Sequence, residues 1–199
     1  MSEREPELPE FLSEACADDV GARATAGRLA SDLPQLLRPL PALGRARLLS
    51  AVERLPLRYA PFFERIGELW DLPPSHVEAL LARAEEPSVW RKPGLPGVRV
   101  VDVEGGERVR KARVTLAQFA PGLRFPSHRH PGPEALLVLE GRYEDQRGRV
   151  VNPGDLHCMQ PGSEHWFRVG REAPCVAASV QFGLEFTGFW MRLAVRLFG

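Results

Sequence analysis

The sequence predicts an α+β protein in which a small all-helical domain is followed by an antiparallel all-β domain. Up to about residue 85 the apolar residues recur at helical spacing, whereas the later part shows short apolar runs with a period near two. A stretch rich in proline and glycine separates the two patterns. We therefore expect a helical domain at 1–88, a linker at 89–97 and a sandwich or barrel at 98–199.

Three stretches of the first half have the pattern of helices with one buried face. "ALGRARLLSAVERL" and "YAPFFERIGELW" repeat apolar residues at intervals of three and four. The third, "PPSHVEALLARAEE", places Glu78 three residues after Ser75, which is the spacing of a capping box. This spacing predicts that Ser75 caps the helix. The residues expected to face the core are Val77, Leu80, Leu81 and Ala84. His76 then falls in the first turn, where we expect a surface position.

The second half reads as strands joined by glycine- and proline-containing turns. The last segment, "GFWMRLAVRLFG", is apolar, and we expect it to pack on the β domain as a strand or helix, or to form the surface of a homodimer. The predicted strands are "VRVVDV", "ARVTLAQF", "ALLVLE", "LHCMQ", "HWFRV" and "CVAASVQF".

Charge is distributed unevenly although the whole chain is neutral. Residues 1–88 contain 10 arginines and 15 acidic residues, a net charge of −5, and the remainder carries the balancing +5. An acidic domain favours a basic protein surface as partner and disfavours direct contact with nucleic acid. No apolar run reaches the roughly 18 residues of a membrane span, and the start "MSEREPELPEF" lacks a signal sequence, so we expect a cytoplasmic protein without membrane contact.

The three cysteines, Cys16, Cys158 and Cys175, lie far apart and form no CxxC pair. This pattern is not that of a disulfide framework or a zinc ribbon. We interpret Cys158 as an inert buried thiol.

The segment "PSHRHPGPE" places two histidines one residue apart and a glutamate beyond a turn. Alternate residues of a strand point the same way, so His128 and His130 share a face. If Glu134 faces the interior with them, its buried carboxylate needs a cation. His165 begins a later strand and is the fourth candidate ligand, and such a set suits a divalent metal such as zinc, iron, manganese or nickel. The alternative is an exposed pair of loop histidines.

The spacing of these residues resembles the cupin family, whose barrel is a jelly roll, also called a double-stranded β-helix. The first cupin motif reads G-x5-HxH, three or four residues, E-x6-G. The second motif is looser here: the separation from Gly154 to His165 and the "PGD" turn are kept, but Val169 stands where an asparagine is frequent. The resemblance implies metal binding by His128, His130, Glu134 and His165. The first motif falls on Gly122, His128, His130, Glu134 and Gly141.

The run "EALLVLEGRYEDQRGRVVNPGDLHCMQPGSEH" further resembles the cupin half of the ChrR-type anti-sigma factors. The resemblance implies that the helical domain binds an extracytoplasmic-function sigma factor. It also implies that the cupin domain binds zinc and takes part in sensing singlet oxygen or organic hydroperoxide. Residues 1–88 lack the family's HxxxCxxC motif, since they contain only Cys16 and His76, so no zinc is expected in that domain.

Two other functions fit the same residues. The first is a metal-dependent enzyme of the dioxygenase-like cupin class, with His157, Tyr143 or Glu144 as acid or base. The second is a non-catalytic metal- or ligand-binding dimer. In each reading His157, Cys158 and Tyr143 are candidates for positions beside the ligands.

Overall fold

The computed structural model describes residues 58–188 together with Glu10 and Ser13. The first predicted helix, Cys16 and the C-terminal segment from residue 189 lie outside the described residues, so the all-helical N-terminal domain stays a prediction. Two α-helices are followed by ten strands. The bounds are α1 Phe63–Trp70, α2 Pro74–Arg83, β1 Val98–Val103, β2 Arg113–Phe119, β3 Arg124–Arg129, β4 Glu134–Glu140, β5 Tyr143–Asp145, β6 Val150–Val151, β7 Leu156–Met159, β8 Glu164–Val169, β9 Cys175–Gln181 and β10 Glu185–Phe186.

The strands form two five-stranded sheets that face each other. The first sheet has the order β1-β2-β9-β4-β7 and the second has the order β10-β3-β8-β5-β6. Every strand pair is antiparallel, which confirms the predicted β sandwich. All six predicted runs are strands, whereas β5, β6 and β10 were missed because runs of two or three residues show no periodicity.

The first sheet is buried on both faces. Leu136 and Val138 of β4 point between the sheets, while Leu137 between them points outward to the helices. The outward face packs against Ile66, Trp70 and further apolar residues of α1 and α2. This packing explains why β4 and β9 read as nearly continuous apolar runs rather than as alternating strands.

The start of helix α2 differs from the sequence prediction. Helix α2 begins at Pro74 with Pro73 as N-cap, so the prediction that Ser75 caps it is wrong. Proline suits the first helical position because its φ is already helical and its missing N–H is not needed there. Of the predicted core-facing residues, Val77 and Leu81 are buried, and Leu80 and Ala84 are half-buried against the same core. No helix in the described part of the chain is long and apolar enough to cross a bilayer.

Gly141, the last residue of the first cupin motif, directly follows β4 and has a φ of +66°. A Cβ atom there would lie 2.2 Å from the carbonyl oxygen of Pro174, whereas at Gly148, with φ +78°, the nearest atom would be 3.8 Å away in a flexible side chain. We expect Gly148→Ala to lower the free energy of unfolding by about 1 kcal/mol, the cost of left-handed backbone alone. Gly141→Ala adds a backbone clash and should cost at least about twice as much. Urea unfolding of both variants measures this difference, and equal losses would contradict it.

Candidate metal site

The site lies between the two sheets, at the end where β3 and β8 pair. His128 on β3 is directly opposite His165 on β8, with ring centroids 4.4 Å apart. A bulge between Phe125 and His128 shifts the register of β3. The bulge turns both Phe125 and His128 inward although they are three residues apart, a spacing that a regular strand would place on opposite faces.

The two-histidine pattern predicted that His130 lies within the same strand as His128. In the structure it lies one residue beyond the end of β3. Its backbone is held by two hydrogen bonds, since its N–H donates to Ser163 and its carbonyl accepts from Gly162. These contacts bring its ring to 4.7 Å from that of His128, and its Nε2 lies 3.1 Å from Nε2 of His165. The three histidines are buried and offer ring nitrogens within 4.8 Å of one another.

Glu134 approaches from the opposite sheet, as the first residue of β4. Its side chain is buried, and Oε2 lies 3.5 Å from Nε2 of His130. Burial raises the pKa of Glu134 to about 7. The carboxylate is therefore held beside the histidine cluster at a cost that a positive charge would offset.

The histidines are neutral near pH 7. Burial is the main cause that lowers the pKa of His128 to about 4, that of His130 to about 3 and that of His165 to about 4. Neutral imidazole is the form that binds a metal ion. The Nδ1–H of His128 donates to the carbonyl of Pro126 at 2.9 Å, which leaves the Nε2 lone pair facing the cluster.

These residues fit a divalent metal. Two nitrogens bonded to one ion at about 2.0–2.1 Å lie roughly 3 Å apart, close to the observed 3.1 Å between His130 and His165. The Nδ1 atoms of the same two rings are buried without a hydrogen-bond partner. Without an ion the two Nε2 atoms form one hydrogen bond, with either ring as donor, whereas a metal ion would bind the lone pairs of both. Nitrogen and carboxylate donors together suit zinc, iron, manganese or nickel.

Two further candidates form a pair beside the cluster. The hydroxyl of Tyr143 on β5 and Nδ1 of His157 on β7 form a hydrogen bond of 2.6 Å. Burial raises the pKa of Tyr143 well above 10, so the hydroxyl keeps its proton. The ring of His157 stands edge-on to His165, with centroids 6.1 Å apart. The pair therefore joins the wall of the site rather than the group of three histidines.

The structure does not bring Cys158 or Glu144 to the site. Cys158 packs with the helix-facing core on the outer side of β7, the opposite side from His157. It is also disulfide-bonded, so its interpretation as an inert thiol is wrong; spacing along a chain cannot show which sulfurs meet in space. Glu144 is exposed on the outside of β5. Cys175 is a buried free thiol, and burial raises its pKa to about 12.

A cavity of about 760 Å³ opens between the sheets and reaches His128, His165 and Glu134. The sequence reasoning missed the polar part of its wall, formed by Arg113 and Thr115 of β2 and by Ser179 and Gln181 of β9. The available signal was the placement of polar residues at alternate positions of otherwise apolar strands.

The comparisons with known proteins concern the β domain above all. Residues 86–181 match the family model of the ChrR cupin-like domain. No curated protein sequence matches the chain.

Several solved structures are similar in fold. The crystal structure of Rhodobacter sphaeroides SigE in complex with the anti-sigma ChrR aligns over 87% of this chain and 90% of that chain, with 24% identity and a TM-score of 0.49. A Ralstonia eutropha protein of unknown function with a cupin-like fold aligns over 56% and 83%, with 20% identity and a TM-score of 0.42. The polyketide cyclase RemF from Streptomyces resistomycificus aligns over 50% and 77%, with 20% identity and a TM-score of 0.40.

The family match spans nearly all of the sandwich, from the segment before β1 to the end of β9. It includes the bulged strand, the paired strand β8 and the buried residues of the site. This part of the chain is therefore similar to the ChrR cupin-like domain throughout the strands that hold the site.

Proposed function

We propose that the chain is a metal-binding regulatory protein of the ChrR type, which restrains a sigma factor and responds at its cupin domain. The domain holds a divalent metal, zinc in first place, through His128, His130, Glu134 and His165. The observation that carries the proposal is the buried cluster of three neutral histidines beside a buried carboxylate. A cluster of this kind is costly without a cation and matches the donor set of a metal.

The partner is inferred from the family of the β domain and from the charge of residues 1–88. That segment carries a net charge of −5, which favours a basic, DNA-contacting protein surface rather than nucleic acid itself. A sigma factor presents such a surface. This function places the chain in the cytoplasm, where sigma factors act.

Strand β7 offers a route between the metal site and the helices. Its inner face carries His157 beside the site, while Leu156 and Cys158 on its outer face pack with the helical layer. The neighbouring β4 has the same arrangement, because Glu134 points inward and Leu137 points outward. A change in the ligands bound to the metal would therefore shift the sheet against which α1 packs. The proposed response is that the helical part then binds the sigma factor less tightly.

The test is coexpression of the full chain with each extracytoplasmic-function sigma factor of the same organism. We expect the two proteins to copurify, and we expect elemental analysis to find about one zinc per chain. Because the attraction is partly electrostatic, the complex should form more slowly at high salt. A folded, metal-loaded chain that fails to retain the sigma factor would overturn the regulatory proposal, and a metal-free chain would overturn the metal site.

One observation favours an enzyme as the second candidate. The cavity connects solvent with the candidate ligands, and the Tyr143 hydroxyl lines it while hydrogen-bonded to His157. A phenol that accepts this hydrogen bond from the Nδ1–H of His157 keeps its own hydrogen for donation to a bound substrate. Iron in place of zinc, together with oxygen consumption in the presence of a small organic substrate, would favour this candidate. The homodimer also stays a prediction.

A further inference from the structure

We propose that the cavity beside the metal site binds a small amphipathic organic acid, with its carboxylate at Arg113 and Gln181 and its apolar body against a phenylalanine wall. The inference deepens the proposed function, on which it rests, because it names the class of ligand that the cupin domain receives. Three features of the cavity carry it.

The first feature is a row of side chains that crosses the floor of the cavity. Arg113 of β2 is the register partner of Gln181 of β9, and Gln181 is the partner of Glu134 of β4. All three line the cavity. Adjacent strands lie about 4.8 Å apart, so the row leads from the metal-site carboxylate to a guanidinium roughly 10 Å away.

The second feature is an excess of positive charge at the Arg113 end. Asp102 accepts hydrogen bonds from both Arg91 and Arg113, so two cations share one carboxylate. Arg91 makes the shorter contact, through Nε at 2.7 Å, and the Arg113 nitrogens lie 3.2–3.3 Å from the other oxygen. Arg113 has five N–H donors, and it keeps several of them for an anion.

The next residues inward continue this polar side. Thr115 and Ser179 are buried register partners whose hydroxyl oxygens are 2.8 Å apart. Their mutual hydrogen bond uses one hydroxyl hydrogen and leaves the second for an acceptor in the cavity. The polar side of the cavity thus offers donors from a guanidinium, an amide and a hydroxyl, which is the arrangement that suits a carboxylate.

The third feature is an aromatic wall. Phe125 and Phe167 are stacked, with centroids 4.8 Å apart and planes within 5°. Phe119 stands edge-on to both, and Phe186 lies 5.9 Å from Phe125. An apolar body against this wall removes its surface from water, while the acid group at Arg113 keeps a charged partner. A neutral apolar molecule would pack against the phenylalanine wall but would leave the hydrogen-bond donors of the polar side without an acceptor.

Other charged groups of the lining leave this preference for anions in place. Arg129 and Glu185 are register partners of opposite charge, so their charges offset each other. Glu134 is the carboxylate assigned to the metal. The unbalanced charge near the polar row is therefore positive.

The experiment compares two probes that differ only in the acid group, 3-phenylpropionate and 3-phenylpropan-1-ol, by titration calorimetry on the zinc-loaded full chain. We expect the acid to bind at least about tenfold more tightly than the alcohol, since a hydrogen bond to a charged group is worth at least that factor. Arg113→Gln should remove the preference without changing the affinity for the alcohol, and Gln181→Met should reduce it. Arg142→Gln is the matched control, because Arg142 is a similarly exposed arginine in an ion pair with Glu172 at 3.1 Å.

Equal affinity for the two probes, no binding of either, or an acid preference that survives Arg113→Gln would overturn the inference. The same titration on metal-free protein tests whether the carboxylate of the probe binds the metal rather than Arg113. In that case the preference for the acid would be lost in metal-free protein but kept in zinc-loaded Arg113→Gln. Zinc content and copurification with the sigma factor are read separately. A cavity that does not bind acids is therefore distinguished from a failure of the regulatory proposal.

Discussion

Replacing His128 by alanine is expected to remove the metal from the purified protein, whereas replacing His76 by alanine should leave the metal content unchanged. His128 is 2% exposed and its Nε2 faces the other two rings, while His76 is an exposed residue of α2. Loss of a group that merely orients a ligand already costs about 10–100-fold in affinity, so loss of a ligand should cost more. Elemental analysis after dialysis against a weak chelator measures the difference.

The controls for this prediction separate metal loss from unfolding. Circular dichroism should show the same β content in both variants, because His128 lies at the cavity and not in the helix-facing core. His128→Ala should also abolish the stabilisation of the protein by added zinc, since only a site that exists in the folded state couples binding to stability. Stoichiometric metal in a folded His128→Ala variant would show that the metal, if bound, is held elsewhere.

How much of this site could be predicted from sequence depends on the kind of feature. The spacing of His128, His130 and Glu134 predicted that they would come together, because a strand and a tight turn constrain neighbours along the chain. The sequence reasoning did not find the bulge between Phe125 and His128, which sets the register of β3 against β8. A bulge of this kind depends on the partner strand, and a single sequence carries no record of that partner.

The same limit applies to the far wall of the cavity. Arg113, Gln181 and Glu134 are widely separated in sequence, yet they form one row because β2, β9 and β4 are neighbours in the sheet. The strands themselves were predictable from composition and turns. Their order was not, since in this sandwich strands distant in sequence pair with each other.

Replacing Glu134 by leucine is expected to have effects of opposite sign with and without the metal. In metal-free protein at pH 8 the buried carboxylate is charged, although burial raises its pKa to about 7 from an ordinary 4.5. That difference corresponds to roughly 3 kcal/mol of destabilisation, which leucine removes because it is apolar and of similar size. With zinc the order should reverse, because the wild-type protein keeps a ligand that the variant lacks.

The pH dependence of the metal-free comparison has a definite sign. A carboxyl group whose folded pKa is raised is penalised fully above the folded value of about 7. The penalty falls as the pH is lowered, and it disappears below the ordinary pKa of 4.5, where the group is protonated in both states. The advantage of Glu134→Leu should therefore be greatest at pH 8 and shrink between pH 7 and 4.5. The three histidines titrate in both proteins, so their contribution largely cancels in the difference.

Urea unfolding of chelator-treated protein across this pH range measures the effect. Glu140→Leu is the matched control, because Glu140 ends the same strand but accepts hydrogen bonds from Arg58 at 2.5 Å and Tyr59 at 3.1 Å. Its replacement removes those contacts and should not stabilise the protein at any pH. If Glu134→Leu also destabilised the metal-free protein at pH 8, the carboxylate would have to be held by compensating hydrogen bonds rather than kept for a cation. In that case the fourth position of the proposed metal site would fall to a different group, while the three histidines would remain as its ligands.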